Sequence, residues 1–165
     1  MNFFLRAWTL EDAAGLPKYA NNINIARFLM DRFPHPYTVD DARTFIASAT
    51  RDTPVHLFAI DIGGEAVGGN GIHPQDDVFR KNAELGYWLA EPFWGQGIIT
   101  QAIAQMIEFA FTTYDINRIF ARPFGTNKAS QRVLEKAGFT LEAKLEKTVY
   151  KHGEYLDEWI YSFRR

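Results

Sequence analysis

Two glycines, Gly95 and Gly97, stand where a strand-like segment gives way to a helix-like one. The amides in the first turn of such a helix have no partner within it, and the helix dipole places partial positive charge there. Glycine also lets the backbone approach a ligand closely. These features suit a phosphate or pyrophosphate group. We therefore predict a pocket for a phosphorylated cofactor at this turn.

The segments on either side of the turn follow from the hydrophobic pattern. Residues 84–89, ELGYWL, alternate with a period of two, which predicts a half-buried strand. Pro92 cannot donate to a sheet ladder and ends this strand. The residues from Ile98 to about Thr113 carry a wide apolar stripe at helical spacing, which predicts a helix packed on a sheet.

Two other phosphate-binding loops fit less well. A P-loop needs a lysine after its glycines, and none follows Gly97. The dinucleotide fingerprint has Thr100 in place of its third glycine. It also needs an acidic residue after the next strand, whereas the strand predicted at Arg118–Ala121 ends near Arg122. A fragment of a nucleotide-binding oxidoreductase is thus a weaker alternative.

Three segments resemble the GCN5-related N-acetyltransferase (GNAT) superfamily, in the branch typified by ribosomal-protein N-acetyltransferases of the RimJ/RimL type. They are ELGYWL at 84–89, WGQGIIT at 94–100 and NKASQRVLEKAGF at 127–139, in that order and spacing. Three positions depart from the usual pattern. Trp94 stands where the wider superfamily has Gln or Arg, and Ile99 stands where it has Gly or Ala. Gln101 stands where the branch usually has Glu.

The resemblance implies an α/β (α+β) fold, with a mixed central sheet of about seven strands splayed in the middle and flanked by helices. Residues 1–165 would form a single acetyltransferase domain. In this fold the strands at 84–89 and 118–121 part, and the pantetheine arm of the coenzyme lies between them. A non-catalytic acyl-coenzyme A sensor on the same fold is a further alternative.

The resemblance also implies acetyl-coenzyme A as acetyl donor and no metal. The four histidines, His35, His56, His73 and His152, lack the spacing of metal ligands. The positions that match the coenzyme-binding motifs are Trp88, Leu89, Trp94, Gly95, Gln96, Gly97, Ile98, Ile99, Thr100, Asn127 and Ser130.

Direct transfer needs a group that takes a proton from the attacking amine and one that protonates the leaving thiolate. Glu84 is the candidate base, directly or through water, because it begins the strand whose far end would hold the cofactor. The resemblance to the RimJ/RimL branch makes Ser130 the candidate acid. Alternatively, Glu84 binds the amine without taking its proton, or it orders the neighbouring backbone. Ser130 is alternatively only a polar residue in the first turn of its helix. For the acceptor we predict contacts from Glu84, Asp157 and Tyr37. Asp157 has the alternative of a paired structural acid.

Carboxylates near the site favour a cationic amine, and an α-amine, with a pKa of about 8, loses its proton more easily than lysine at about 10.4. We therefore expect a small-molecule or peptide amine, a ribosomal-protein N-terminus among them. The acceptor walls would come from loops at Phe33–Tyr37 and His73–Phe79, with His73–Asp77 a polar loop.

Composition bounds the remaining possibilities. A net charge of -2 argues against nucleic-acid binding. The absence of cysteine excludes disulfides and is typical of a cytoplasmic protein. No signal peptide or membrane-length apolar run is visible, so no membrane partner is expected. The sequence does not decide the oligomeric state, although homodimers are common in the branch.

Turn and capping residues predict the other elements. The predicted strands are Phe3–Arg6, Val55–Ile62, Ala66–Ile72, Leu141–Tyr150 and Glu154–Phe163. The predicted helices begin after Thr9, after Thr38 and after either Asn127 or Thr126, and they run to about Tyr19, Ala49 and Lys136. Gly68, Gly69 and Gly71 are poor strand residues, so they predict a bulge or the close approach of a ligand.

Overall fold

The computed structural model describes residues 1–165, which form five α-helices and a seven-stranded sheet. The strands are β1 (Phe4–Ala7), β2 (Leu57–Ile62), β3 (Glu65–Pro74), β4 (Asn82–Leu89), β5 (Arg118–Ala121), β6 (Thr140–Lys151) and β7 (Glu154–Arg164). The helices are α1 (Pro17–Ala20), α2 (Ile23–Ala26), α3 (Val39–Ala49), α4 (Ile98–Thr113) and α5 (Lys128–Lys136). The predicted mixed α/β class with seven strands is confirmed.

The strands lie in the order β1-β2-β3-β4-β5-β7-β6. β4 and β5 pair in parallel, and the β1–β2, β2–β3, β5–β7 and β6–β7 pairs are antiparallel. The parallel pairing confirms that the strand carrying Glu84 is the neighbour of the strand at Arg118–Ala121. None of the helices combines the length and the hydropathy that crossing a membrane requires.

Local capping signals place the helices well, with one exception. The Thr38 side chain accepts a hydrogen bond from the Asp41 amide, and Asp41 binds the Thr38 amide in return, so α3 begins where predicted. The prediction of one helix from Thr9 to Tyr19 is wrong. A 3-10 turn, Leu10–Ala14, is followed by the separate short helix α1, because Gly15 and Pro17 interrupt regular helical hydrogen bonding.

The β2–β3 hairpin turns at Gly63 and Gly64, whose φ angles of 64° and 90° favour glycine. A register shift after Ile60 confirms the predicted bulge in this hairpin. The crowding at the β3 glycines comes from the protein itself. A Cβ atom on Gly69 would lie 2.8 Å from the indole nitrogen of Trp88. The expected close approach of a ligand at these glycines is therefore replaced by close packing of the protein's own residues.

The chain divides into two compact units, each with its own buried core. Residues 1–71 with 87–102 form the first unit. Its core contains residues from the N-terminal segments, α3 and β2, among them Trp8, Leu16, Tyr37, Ile46 and Ala59. A second group of buried residues in this unit, Ile60, Val67, Leu89, Ile98 and Ala102, supports the beginning of α4.

Residues 72–86 with 103–165 form the second unit. Its buried residues come from α4, β5, α5 and β7, and they include Met106, Ile119, Leu134 and Tyr161. Aromatic contacts extend this core, because the Phe163 ring lies 6.0 Å from Phe111 and 5.7 Å from Phe139, measured between centroids. The apolar face of α4 is thus buried as its sequence pattern predicted.

Candidate active site

The predicted glycine turn at the start of α4 has the geometry of an anion-binding loop. Gly95 and Gly97 have φ angles of 74° and 76°, which L-residues with side chains rarely adopt. The Gly97 carbonyl accepts a hydrogen bond from the Gln101 amide, which is the first bond of the helix. The amides between these two residues therefore have no acceptor within the helix. Nothing lies within 4 Å of a Cβ built on Gly95. The loop is therefore open and presents backbone donors.

Two side chains hold the loop in this conformation. The Trp94 indole Nε1 donates to the carbonyl oxygen of Leu89 at 2.7 Å, which joins the loop to the last residue of β4. The Gln96 amide donates to the carbonyl oxygen of Pro92 at 3.3 Å. Trp94 is exposed, so its place in the motif reflects this hydrogen bond rather than burial in a core.

Glu91 is a supporting residue that the sequence reasoning missed. Its carboxylate accepts from the side-chain amides of Asn22 at 2.7 Å and Asn24 at 3.2 Å, on the segment that begins α2. The hydrogen bond from Asn22, followed by that from Asn24, holds the pKa of Glu91 below its usual range. The sequence carries no local signal of this pairing, because Asn22 and Glu91 are 69 residues apart in the chain.

The strand before the loop carries the remaining predicted contacts of the first unit. The Trp88 ring packs on Phe33, with centroids 5.4 Å apart, and Phe33 packs on Tyr37 at 5.1 Å. Tyr37 itself is 5% exposed, and burial raises the pKa of its phenol to about 12. Tyr37, the last residue of the Phe33–Tyr37 loop, is therefore a neutral residue of the core. Its contact with the acceptor remains a prediction.

Glu84 lies on β4 in the second unit, where it pairs with Phe120 of β5. This register runs from Asn82 opposite Arg118 to Glu84 opposite Phe120, and β4 continues to Leu89. The Glu84 side chain is partly buried. The predicted catalytic carboxylate thus stands at the last of these paired positions, followed along the strand by the residues predicted to bind pantetheine.

Asn127 and Ser130 meet at the beginning of α5. The Asn127 side chain caps the helix by accepting from the Ser130 amide at 3.2 Å. Gln131 was missed by the sequence reasoning. It is 4% exposed, and its side-chain amide donates to the carbonyl oxygens of Phe124 and Gly125, which fixes the loop before the helix. The sequence carries no signal of this role, because the burial of Gln131 follows from tertiary packing.

Asp157 on β7 accepts a hydrogen bond at 3.0 Å from the amide of Lys147 on β6. Lys147 has a φ of 53° and lies within a register shift between the two strands. The Asp157 carboxylate therefore stabilises an irregular point of the hairpin, which agrees with the alternative that Asp157 is a paired structural acid. A contact of Asp157 with the acceptor stays a prediction. No group of three or more His, Asp or Glu side chains is placed to hold a metal ion.

The predicted residues fall into two sets. Tyr37, Trp88, Leu89 and residues 94–100 belong to the first unit. Glu84, Asn127, Ser130 and Asp157 belong to the second unit. The first set supplies an open loop with backbone donors, and the second supplies carboxylates, a hydroxyl and a capped helix start.

The sequence model of the acetyltransferase (GNAT) domain matches residues 2–140. The chain is a member of this acetyltransferase family. The family assignment, with relatives named N-acetyltransferase, makes the protein an acetyl-coenzyme A-dependent acyltransferase. The oxidoreductase alternative is therefore wrong.

Two curated relatives of this acetyltransferase carry ribosomal names. "Putative ribosomal N-acetyltransferase YdaF" of Bacillus subtilis (strain 168) is 35% identical over 132 residues, which are 78% of this chain and 72% of that protein. The ribosomal-protein-serine acetyltransferase of Escherichia coli (strain K12) is 34% identical over 93 residues, 56% of this chain and 50% of that protein. The predicted likeness to ribosomal-protein N-acetyltransferases is confirmed.

A solved structure supports the fold of the acetyltransferase. The microcin C7 self-immunity acetyltransferase MccE, in complex with acetyl-CoA and AMP, superposes with a TM-score of 0.86 at 27% sequence identity. The match covers 99% of this chain and 92% of that chain. The predicted GNAT fold is thereby confirmed.

Proposed function

We propose that this acetyltransferase transfers the acetyl group of acetyl-coenzyme A directly to an α-amine of a protein N-terminus or peptide. The observation that carries the proposal is the open loop of Gly95 and Gly97 at the beginning of α4, on the chain segment that follows the Glu84 strand. The ribosomal-protein relatives support a protein or peptide acceptor. We further propose that residues 1–165 act as one catalytic domain.

The residues present fit the coenzyme. A pyrophosphate carries negative charge, and the first-turn amides at Ile98, Ile99 and Thr100 are donors at the positive end of a 16-residue helix. Gly95 and Gly97 carry no side chain that would obstruct such a group, and their positive φ angles favour glycine at both positions. When bound, acetyl-coenzyme A supplies the acetyl group as a thioester, which an amine attacks without a covalent enzyme intermediate.

In this proposal Glu84 and Ser130 divide the proton transfers. Glu84 takes one proton from the acceptor amine. Ser130 passes the other to the departing thiolate: its O–H bond breaks as the S–H bond forms, and it regains a proton from the acetylated nitrogen. The structure supports a fixed position for Ser130, because its amide is bound by the Asn127 cap. Backbone donors at Trp88 and Leu89 would stabilise the developing oxyanion.

The preference for an α-amine follows from proton affinity. An α-amine has a pKa of about 8 and a lysine side chain about 10.4, so the first loses its proton more readily near neutral pH. The negative charges of Glu84 and Asp157 would attract a cationic acceptor. This reasoning favours an N-terminal amine over a lysine side chain.

The test uses a panel of peptides with free N-termini, including the N-terminal sequences of bacterial ribosomal proteins. Each peptide is paired with an N-terminally blocked copy that retains an internal lysine. Coenzyme A release and mass spectrometry then report turnover and the position of the acetyl group. Acetylation confined to the free α-amines is the expected result. Transfer only to the lysines, to polyamines or to amino sugars would overturn the acceptor class.

A further inference from the structure

The register between β3 and β4 brings His73 opposite Glu84. The two strands are neighbours in the sheet, and the short connection of residues 75–81 makes them an antiparallel pair. The Gln75 amide donates to the carbonyl oxygen of Asn82 at 3.0 Å. Gln75 therefore lies opposite Asn82. Counting two residues back along β3 and two residues forward along β4, His73 lies opposite Glu84. His73 was predicted in a polar loop, which is wrong, because β3 extends to Pro74.

The side chains of His73 and Glu84 share one face of the sheet. A Cβ atom built on Gly86 would lie 3.9 Å from His73 Nε2, so the imidazole stands on the Gly86 side of β4. Glu84 lies two residues before Gly86 and therefore projects from the same side. Ile72 and Leu85, which precede and follow the pair along the two strands, are buried on the other side. Directly opposed residues of such strands have Cβ atoms about 4.5–5.5 Å apart.

Gly86 leaves room beside the imidazole. Apart from the two chain neighbours of Gly86, His73 Nε2 at 3.9 Å is the one heavy atom within 4 Å of a Cβ built there. His73 and Glu84 are both partly buried. The charged group that faces this end of the pair from β5 is Arg118, and it is already bound to the Asn82 side chain and to Glu142. Glu84 is therefore the carboxylate that faces His73 from the strand beside it.

The chemistry of the reaction gives this pair a task. An ammonium acceptor loses two protons when it becomes an amide: one accompanies the coenzyme thiolate as a thiol, and the other must leave for solvent. A carboxylate, with an ordinary pKa of about 4.3, holds a proton only briefly near neutral pH. An imidazole, at about 6.5, is the side chain best suited to receive it and release it at that pH.

Building on the proposed function, we propose that His73 is a positioning residue that orients Glu84 and accepts the acceptor-derived proton from it. As an ammonium N–H bond breaks, an O–H bond forms on Glu84. That O–H bond then breaks as an N–H bond forms on His73, and the imidazolium releases the proton to water. Glu84 returns to the carboxylate form, and no other reactant is consumed.

The first test does not depend on the acceptor. The His73 imidazole is titrated by NMR in the wild-type protein and in Glu84→Gln. Because a neighbouring carboxylate favours the imidazolium, the pKa of His73 is expected to fall when Glu84 is replaced. His56, whose Nε2 lies 2.8 Å from the Asp52 carboxylate, is the internal control for any general effect of the substitution. An unshifted His73 titration would overturn the pairing.

The second test measures turnover of whichever amine is identified by the peptide panel, extended with polyamines and amino sugars, so a wrong acceptor class would not obscure it. His73→Gln should lower kcat/KM for the amine by about 10- to 100-fold at neutral pH, part of the range of general acid–base catalysis, with the KM for acetyl-coenzyme A unchanged. The deficit should shrink as pH rises through the pKa of the amine, because the free base has already lost the proton. His56→Gln should match the wild type. An equal deficit at every pH would reduce His73 to a structural role.

Discussion

The Trp94 indole donates a 2.7 Å hydrogen bond to the carbonyl oxygen of Leu89. One residue ends β4 and the other lies immediately before the glycine loop, so this bond fixes where the loop begins relative to the strand. A wide aromatic side chain thereby occupies a position where the superfamily usually has Gln or Arg. Its contribution is to the shape of the loop.

Replacing Trp94 by Phe removes the donor and keeps an aromatic ring. We expect acetyl-coenzyme A to bind about 2- to 13-fold more weakly, which corresponds to the ~0.5–1.5 kcal/mol of a typical hydrogen bond. Calorimetric titration with the coenzyme measures this. Trp8→Phe is the control, because the buried Trp8 indole nitrogen bonds to no protein group. A matching loss in both variants would assign the effect to general destabilisation.

Replacing Gly97 by Val should weaken acetyl-coenzyme A binding at least tenfold. The branched side chain would obstruct the anion-binding amides, and a φ of 76° is strained for any residue with a Cβ atom. Gly63→Val introduces comparable strain at φ 64° in the β2–β3 turn and should leave coenzyme affinity intact. Thermal shifts with increasing acetyl-coenzyme A compare the two variants. Wild-type affinity in a folded Gly97→Val protein would disprove the loop assignment.

Ser130→Ala tests the proposed acid on α5. Its amide keeps the bond to Asn127, so the helix start should persist. If the hydroxyl protonates the thiolate, turnover should fall by up to ~10²–10⁴-fold, and the deficit should shrink with a thioester whose leaving thiol is more acidic. Steady-state rates with the two donors measure this. The exposed Ser48, replaced in the same way, is the control; equal slowing with both donors would leave Ser130 a binding role only.

Asp157→Asn separates the structural and acceptor-binding roles of this side chain. Asparagine retains an oxygen that accepts from the Lys147 amide, so the melting temperature should change little. If the carboxylate also attracts an ammonium acceptor, the KM for the amine should rise several-fold while the KM for acetyl-coenzyme A stays constant. Asp157→Ala, which loses the hydrogen bond as well, should in addition melt earlier. An unchanged KM for the amine in Asp157→Asn would confine Asp157 to the hairpin.

Glu142 should contribute to stability in a defined range of pH. Its carboxylate binds Arg118 and Ser162, and also Arg164, and the Arg118 hydrogen bond is the largest of the effects that lower its pKa to about 2. The folded pKa lies below the ordinary 4.5, so this stabilisation is complete above 4.5 and is lost as pH falls toward 2. The difference in free energy of unfolding between wild type and Glu142→Gln should therefore shrink over that range.

The sequence by itself determined the elements whose signals are local. The Thr38 cap and the Gly63–Gly64 turn were predicted correctly, since each depends on a hydrogen bond or a backbone angle within a few residues. For α5 the sequence left Asn127 and Thr126 as possible caps, and the structure selects Asn127. The bounds Ile98–Thr113 of α4 followed from its apolar stripe in the same way. The motif at 94–100 also predicted the glycine loop, because both glycines and the helix start are adjacent in the chain.

Only the tertiary structure decided which distant groups meet. Two contacts join segments that carry no sign of one another in the sequence: Asp157 with Lys147, and Glu91 with Asn22. The burial of Tyr37 is likewise not visible in the sequence. His73 faces Glu84 for the same reason, because a strand's pattern gives the face of each side chain but not the register against its neighbour. Register and burial are set by the packing of the whole chain, and the catalytic environment depends on both.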